Sequence, residues 1–263
     1  MHASWNLVVK ASNDRLVAGW AQVFFGALIF LPFLVSMGIP WEAWPFFVVS
    51  GGIHVAYSLS LVAAYERADL SFVYPIARGG APVFVTVAAM VFLDDRPGMV
   101  GTVAVLVLVA GILFMTRRGS GRAGLGWAVL TALLIASYTS LDGAAVRSLG
   151  ESVSYTITVF LAGAVVFTPL VIRLRSWNGL VGAVTAEPGR YAFAGAASAG
   201  AYILVLIAAR SAPLGLVAAV RETSVVFGAL GGWLILGEPF GRRRLIAAAV
   251  IAAGLALLVS GQY

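Results

Sequence analysis

The sequence predicts an all-α membrane protein, a bundle of helices that crosses a lipid bilayer many times. Of its 263 residues, 61% are hydrophobic and only 11% are charged. Apolar stretches of about 20 residues, the length that a helix needs to cross the hydrocarbon core, recur along the whole chain. The polar segments between them are short, so a separate soluble catalytic domain is excluded.

Nine apolar stretches are predicted to span the membrane. They lie at residues 16–37, 44–65, 70–93, 98–116, 125–146, 153–173, 190–212, 214–236 and 244–261. The preceding segment MHASWNLVVK, residues 1–10, is too short to span and lacks the basic region and apolar core of a signal peptide. It is predicted to form the last turns of a truncated first helix, which brings the count to ten helices.

Charged residues are concentrated in the links between the spans. The main groups are Asp94-Asp95-Arg96, Arg117-Arg118, Arg173 with Arg175, and Arg242-Arg243-Arg244. Because no aromatic residues interleave with them and apolar helices flank them, they are predicted to anchor helix ends at lipid headgroups and not to bind nucleic acid. The chain has no cysteine, which excludes disulfides and thiolate chemistry.

Two of the spans carry ionisable residues about one third of the way along. Arg78 lies in the stretch that begins at Leu70, and Arg221 with Glu222 lies in the stretch that begins at Leu214. A charged group at membrane depth is costly, so it usually faces the protein interior or a water-filled cavity and marks a pathway or binding site. These two stretches are therefore the first candidates for function.

The two arginine-bearing stretches also align with each other. Placing Arg78 on Arg221 superposes three further pairs, namely Phe84 on Phe227, Leu93 on Leu236 and Asp95 on Glu238. The alignment predicts two repeats, residues 1–118 and 123–263, of five helices each. Because an odd number of crossings inverts the second copy, this is the inverted-repeat architecture of transporters, with the substrate held near the midplane between the halves.

Three runs of sequence resemble EamA-type transporters of the drug/metabolite transporter superfamily. They are RETSVVFGALGGWLILGEP at 221–239, YPIARGGAPVFVTVAAMVFLDD at 74–95 and HASWNLVVK at 2–10. The resemblance implies a ten-helix carrier of the inner membrane with a central cavity. The chain departs from the family in its truncated first helix, and in Asp94-Asp95 where the family has Gly-Glu, as at Gly237-Glu238.

The arginines are predicted to bind an anionic group of the substrate. Arg78 lies in a stretch rich in residues that weaken a regular helix, so a broken helix is expected beside it: Pro75, Gly79, Gly80 and Pro82. Paired guanidinium groups suit a carboxylate, phosphate or phosphonate. Tyr202 and Tyr138 are expected to line the same cavity. The alternative is that each arginine pairs with an internal acid and braces the bundle.

Three further residues are assigned either to proton coupling or to structural pairing. They are Glu222, Asp142 in SYTSLDGAAV, and His54, which shares one helix face with Tyr57, Ser58 and Leu61. The pair Gly228 and Gly232 and the small residues of 195–201 are expected to permit close helix packing. With two histidines and no ligand cluster, no metal site and no cofactor are expected.

The predicted function is therefore a secondary transporter, an exporter or exchanger of a small metabolite that works by alternating access, with an anion as one candidate substrate. An intramembrane enzyme acting on a phosphate-bearing lipid or polar headgroup is the alternative, and a passive channel is a third candidate. No catalytic motif supports the enzyme, and an enzyme does not need inverted repeats. A homodimer is left open.

Overall fold

The computed structural model of the chain describes residues 2–92, 98–116, 122–212, 217, 220–222, 224–238 and 242–260. The regular elements in these ranges are helices, which confirms the predicted all-α class. Eleven α-helices are assigned in the described ranges, with a 3₁₀ turn at Trp41–Ala43: α1 His2–Ala11, α2 Arg15–Met37, α3 Trp44–Arg67, α4 Leu70–Phe92, α5 Met99–Thr116, α6 Arg122–Leu149, α7 Val153–Arg175, α8 Trp177–Ala186, α9 Pro188–Ser211, α10 Ser224–Leu234 and α11 Arg242–Ser260.

Six of the nine predicted spans are helices that are long and apolar enough to cross a membrane. They lie in α2, α3, α4, α6, α7 and α9. In α5 and α11 the described apolar stretches are shorter, Met99–Phe114 and Leu245–Ser260. The predicted span at 214–236 falls partly outside the described residues, and the link groups Asp94-Asp95-Arg96 and Arg117-Arg118 lie wholly outside them. The protein is thus a multi-pass membrane protein.

Helix α8 lies in the link between α7 and α9, where no helix was predicted from the sequence. Ser176 has a positive φ of 60° and turns the chain sharply after α7. Its side-chain hydroxyl accepts a hydrogen bond at 3.2 Å from the backbone N–H of Gly179, which caps the first turn of α8. With ten residues, this helix is too short to span a membrane, and its apolar stretch could not be distinguished from a link in the sequence.

The chain divides into two compact units that each combine segments from both halves of the sequence. Unit 1 contains Met1–Val62 and Leu141–Ser211, and unit 2 contains Ala63–Ser140 and Ala212–Tyr263. The predicted repeats, in contrast, divide the sequence once, between residues 118 and 123. The two repeats were inferred from internal sequence similarity, and they stay a prediction.

Unit 1 is built on a close crossing of α2 and α9. A Cβ atom added to Gly195 would lie 2.6 Å from both the backbone nitrogen of Gly26 and the Cβ of Phe25. Only a residue without a side chain permits this approach, as expected for the small residues of 195–201. At the start of α2, the Asp14 side chain accepts hydrogen bonds from the backbone N–H groups of Leu16 and Val17.

Unit 2 has an aliphatic core where α5 packs against α11. Its buried members are Ala104, Leu108, Val225, Ile251, Leu255 and Leu258. Helix α4 lies against the same pair and against α10. This packing holds α4, which carries Arg78, between the aliphatic core and the segment that carries Glu222.

Candidate functional site

The predicted arginines meet at one carboxylate in unit 2. Arg221 Nε donates a hydrogen bond to Glu222 Oε1 at 2.8 Å, and Arg78 Nη1 lies 3.7 Å from the same oxygen. The three side chains are only 0–3% exposed. Burial makes such a pairing obligatory, because an isolated charge in an apolar interior costs several kcal/mol. We call Arg78, Arg221 and Glu222 the arginine cluster.

Two neutral side chains complete the surroundings of the arginine cluster. Thr139 Oγ1 accepts a hydrogen bond from Arg221 Nη1 at 3.3 Å. The ring of Tyr74 lies 5.6 Å from the guanidinium carbon of Arg78, in cation–π range, and its hydroxyl is 2.9 Å from Ser224 Oγ. Each arginine is therefore oriented by a neutral group as well as by Glu222.

Helix α4 does not break beside Arg78, contrary to the prediction from its prolines and glycines. It runs from Leu70 to Phe92 with Pro75 and Pro82 inside it. Each proline removes one hydrogen bond of the ladder and the remaining bonds carry the helix through. Near Pro82, the Thr86 side chain Oγ1 donates a hydrogen bond to the Pro82 carbonyl at 2.9 Å. The contacts described for the arginine cluster are made by side chains.

The charges of the arginine cluster favour an anion. Two guanidinium groups face a single carboxylate. In addition, Glu222 Oε2 is buried and has no hydrogen-bond partner among the described residues. A buried acceptor without a donor is costly, so this oxygen is available to a hydrogen-bond donor of a bound molecule.

The second predicted acid, Asp142, lies at the centre of a polar cluster in unit 1. Its carboxylate is fully buried and accepts hydrogen bonds from the hydroxyls of Tyr155 at 2.8 Å and Tyr202 at 2.5 Å. Both donors are neutral. The Ser50 hydroxyl lies 3.3 Å from Nδ1 of His54. We call Asp142, Tyr155, Tyr202, Ser50 and His54 the aspartate cluster.

His54 belongs to the aspartate cluster through both its polar and its ring contacts. Its Nδ1 lies 2.9 Å from the Ser50 carbonyl oxygen, and because a carbonyl only accepts, Nδ1 carries the hydrogen. A proton taken up by the ring would then go to Nε2. The ring centroid is 5.4 Å from that of Tyr202 and 6.0 Å from that of Phe160. The predicted His54 face of α3, with Tyr57, Ser58 and Leu61, is buried.

The structure thus groups six of the seven predicted site residues into two clusters. Arg78, Arg221 and Glu222 lie together, and so do Asp142, Tyr202 and His54. Tyr138 is buried in unit 2, and its place in the cavity lining stays a prediction.

Sequence reasoning did not identify Tyr74, Thr139 or Tyr155 as members of the clusters. Tyr74 precedes Arg78 by four residues, so helical spacing was a usable signal. Tyr155 lies on the helix after that of Asp142, and no local pattern joins the two residues.

Comparison with known proteins gives one family match. The family model described as "EamA-like transporter family" matches residues 122–260, more than half of the chain. No curated protein matches the chain. Among solved structures, a crystal structure described only as that of a protein is similar over 97% of this chain and 94% of its own, with a TM-score of 0.64 and 15% sequence identity. That likeness concerns the fold alone.

Proposed function

Because the chain belongs to the EamA-like transporter family, we propose that this membrane transporter is a secondary carrier that exports or exchanges a small anionic metabolite. The inner (plasma) membrane is the proposed location. The family consists of transporters and not of enzymes, so the intramembrane enzyme raised as the alternative is excluded.

The observation that carries the anionic assignment is the arginine cluster. Two buried guanidinium groups share one carboxylate oxygen, and the second oxygen of Glu222 has no donor among the described residues. An arriving carboxylate, phosphate or phosphonate would bring negative charge to the guanidinium groups, whose forked N–H donors can bind two of its oxygens at once. A hydrogen-bond donor on the same molecule would satisfy Glu222 Oε2.

Alternating access between two inverted five-helix repeats, residues 1–118 and 123–263, is the proposed mechanism. It is supported by the internal alignment, since Arg78 and Arg221 occupy matched positions in the two repeats and contact the same carboxylate. Residues from both repeats would then change their contacts together when the carrier switches. A substrate that competes with Glu222 for the arginines would weaken the contacts of Arg78 and Arg221 with Glu222.

The coupling ion is proposed to be a proton held by the aspartate cluster. Within the described residues of unit 1, no lysine or arginine is buried. The charge of Asp142 is therefore not balanced by a fixed cation there. A proton on His54 Nε2 or on Asp142 itself removes this charge, whereas Glu222 already faces two cations. We assign Glu222 to structural pairing and to substrate contact, and His54 and Asp142 to proton coupling.

The anion site is tested by a thermal-shift screen of the purified protein against small carboxylates, phosphates, phosphonates and amino acids. A ligand at one hundred times its dissociation constant should stabilise the protein by roughly 2.7 kcal/mol. The stabilisation should disappear in Arg78→Gln and persist in Arg67→Gln, a control at the half-exposed Arg67 of the same unit. An anion that stabilises the wild type and Arg78→Gln equally would contradict the proposed site.

A further inference from the structure

Glu238, an acid that the proposed function does not use, closes the start of the helix that carries Arg78. It follows α10 and is only 7% exposed. Its Oε1 accepts the backbone N–H of Leu70 at 2.6 Å, and its Oε2 accepts that of Ser71 at 2.8 Å. The first amides of a helix have no acceptor within the helix, and a carboxylate there is also favoured by the helix dipole. Both oxygens are thus used on α4.

The turn after α10 is shaped to deliver this carboxylate. Gly237 has a φ of +64°, and the Glu238 backbone N–H donates to the Gly232 carbonyl at 3.0 Å. A Cβ atom on Gly232 would lie 2.5 Å from Glu238 Oε2 and 3.1 Å from the Ser71 nitrogen. Glycine at 232 therefore leaves room for the side chain of Glu238 to reach α4.

Three successive turns of α4 meet the neighbouring segment, and Glu238 holds the first of them. Leu70, Tyr74 and Arg78 are spaced four residues apart and share one face of α4. Leu70 receives the Glu238 carboxylate, Tyr74 bonds Ser224 and packs on Gly228, and Arg78 faces Glu222. Because a helix moves along its axis as a unit, fixing its first turn also fixes the level of Arg78.

We infer that Glu238 is a positioning residue for the proposed anion site: its carboxylate clamps the first turn of α4 and thereby sets the axial level at which Arg78 meets Glu222. The importance of Glu238 for transport rests on the proposed function. The contacts between Glu238 and α4 do not depend on any substrate. The Gly-Glu pair at 237–238, singled out in the sequence as a helix-end motif, thereby gains a physical role.

The test exploits the absence of cysteine from the chain. The double substitution Gly79→Cys with Ile251→Cys introduces two thiols whose Cβ atoms lie 3.9 Å apart between α4 and α11. Disulfides form at Cβ separations of about 3.5–4.5 Å. Residue 79 is roughly two turns along α4 from Leu70 and Ser71, and it is next to Arg78. The rate of cross-linking therefore reports the axial position of α4 relative to α11 beside Arg78.

Oxidation of the full-length protein in detergent should form this disulfide readily. Adding Glu238→Gln should slow the cross-linking by about tenfold. The glutamine side chain has one oxygen that can still accept from a backbone N–H of α4, but its NH₂ group would face the other N–H. Glu238→Asp keeps the carboxylate and should give an intermediate rate. Gly232→Ala, which displaces the side chain of Glu238, should resemble Glu238→Gln. Glu66→Gln, at a half-exposed acid of the same unit, is the matched control.

An unchanged rate in both Glu238→Gln and Gly232→Ala would overturn the inference, and so would an equal loss in Glu66→Gln. Rescue by Glu238→Asp separates a positioning carboxylate from a general loss of folding. Since no ligand is present, the result is independent of the anion screen. A slowed cross-link together with an unaltered anion response in Arg78→Gln would keep the clamp and reject the anion site.

Discussion

Glu222 and Asp142 are both fully buried carboxylates, and they differ in the charge of their partners. Glu222 Oε1 is shared by two guanidinium groups, at 2.8 Å and 3.7 Å. Asp142 accepts hydrogen bonds from two phenol hydroxyls and lies beside an imidazole. The partners of Glu222 have a permanent positive charge, whereas the group beside Asp142 in the described part of the chain that becomes positively charged is a histidine, which does so by binding a proton.

This difference is the basis of the division of labour that we propose for the two clusters. Removing a proton from the aspartate cluster, or adding one, changes its net charge without breaking a fixed ion pair. Releasing Glu222 from the arginine cluster instead requires another anion to take its place. The first behaviour suits a coupling ion, and the second suits an anionic substrate.

Glu222→Gln should have the largest effect on stability. It removes the carboxylate that both buried guanidinium groups contact, and breaking a buried pair in this way costs about 3–5 kcal/mol. Asp142→Asn keeps an acceptor for one phenol and should cost less, about 1–3 kcal/mol. Denaturant titration of both variants in the same detergent measures the two losses. A larger loss for Asp142→Asn would contradict the account that Glu222 is the acid held in a fixed ion pair.

Tyr155→Phe and Tyr202→Phe should each have an intermediate effect. Each removes one hydroxyl donor from Asp142, and a hydrogen bond to a charged group contributes about 1.5–3 kcal/mol. Because both donors serve the same carboxylate, their losses should not add in a double-mutant cycle. Strict additivity would indicate that Asp142 does not couple the two tyrosines.

Thr139→Val should have the smallest effect of this series. The bond from Arg221 Nη1 to Thr139 Oγ1 is long, at 3.3 Å, and Arg221 retains its closer contact with Glu222. A loss of about 1 kcal/mol is expected, typical of a single hydrogen bond. The same titration measures it. A loss as large as that of Glu222→Gln would mean that Thr139, and not the acid, holds Arg221.

The charged centres of both clusters were predictable because an ionisable residue is conspicuous in an apolar stretch. Their partners were not. Tyr155, Thr139 and the amides capped by Glu238 are brought to the clusters by tertiary packing, and no local pattern marks them. The uninterrupted course of α4 was also missed, since proline propensity describes an isolated helix and neighbouring helices support this one.

Transport in proteoliposomes tests the division of labour most directly. The measured quantities are exchange of the anion identified by the screen and its accumulation driven by a pH gradient. Asp142→Asn should retain exchange and lose gradient-driven accumulation, whereas Arg78→Gln should lose both. Accumulation at the wild-type level in Asp142→Asn, or exchange at the wild-type level in Arg78→Gln, would contradict the account.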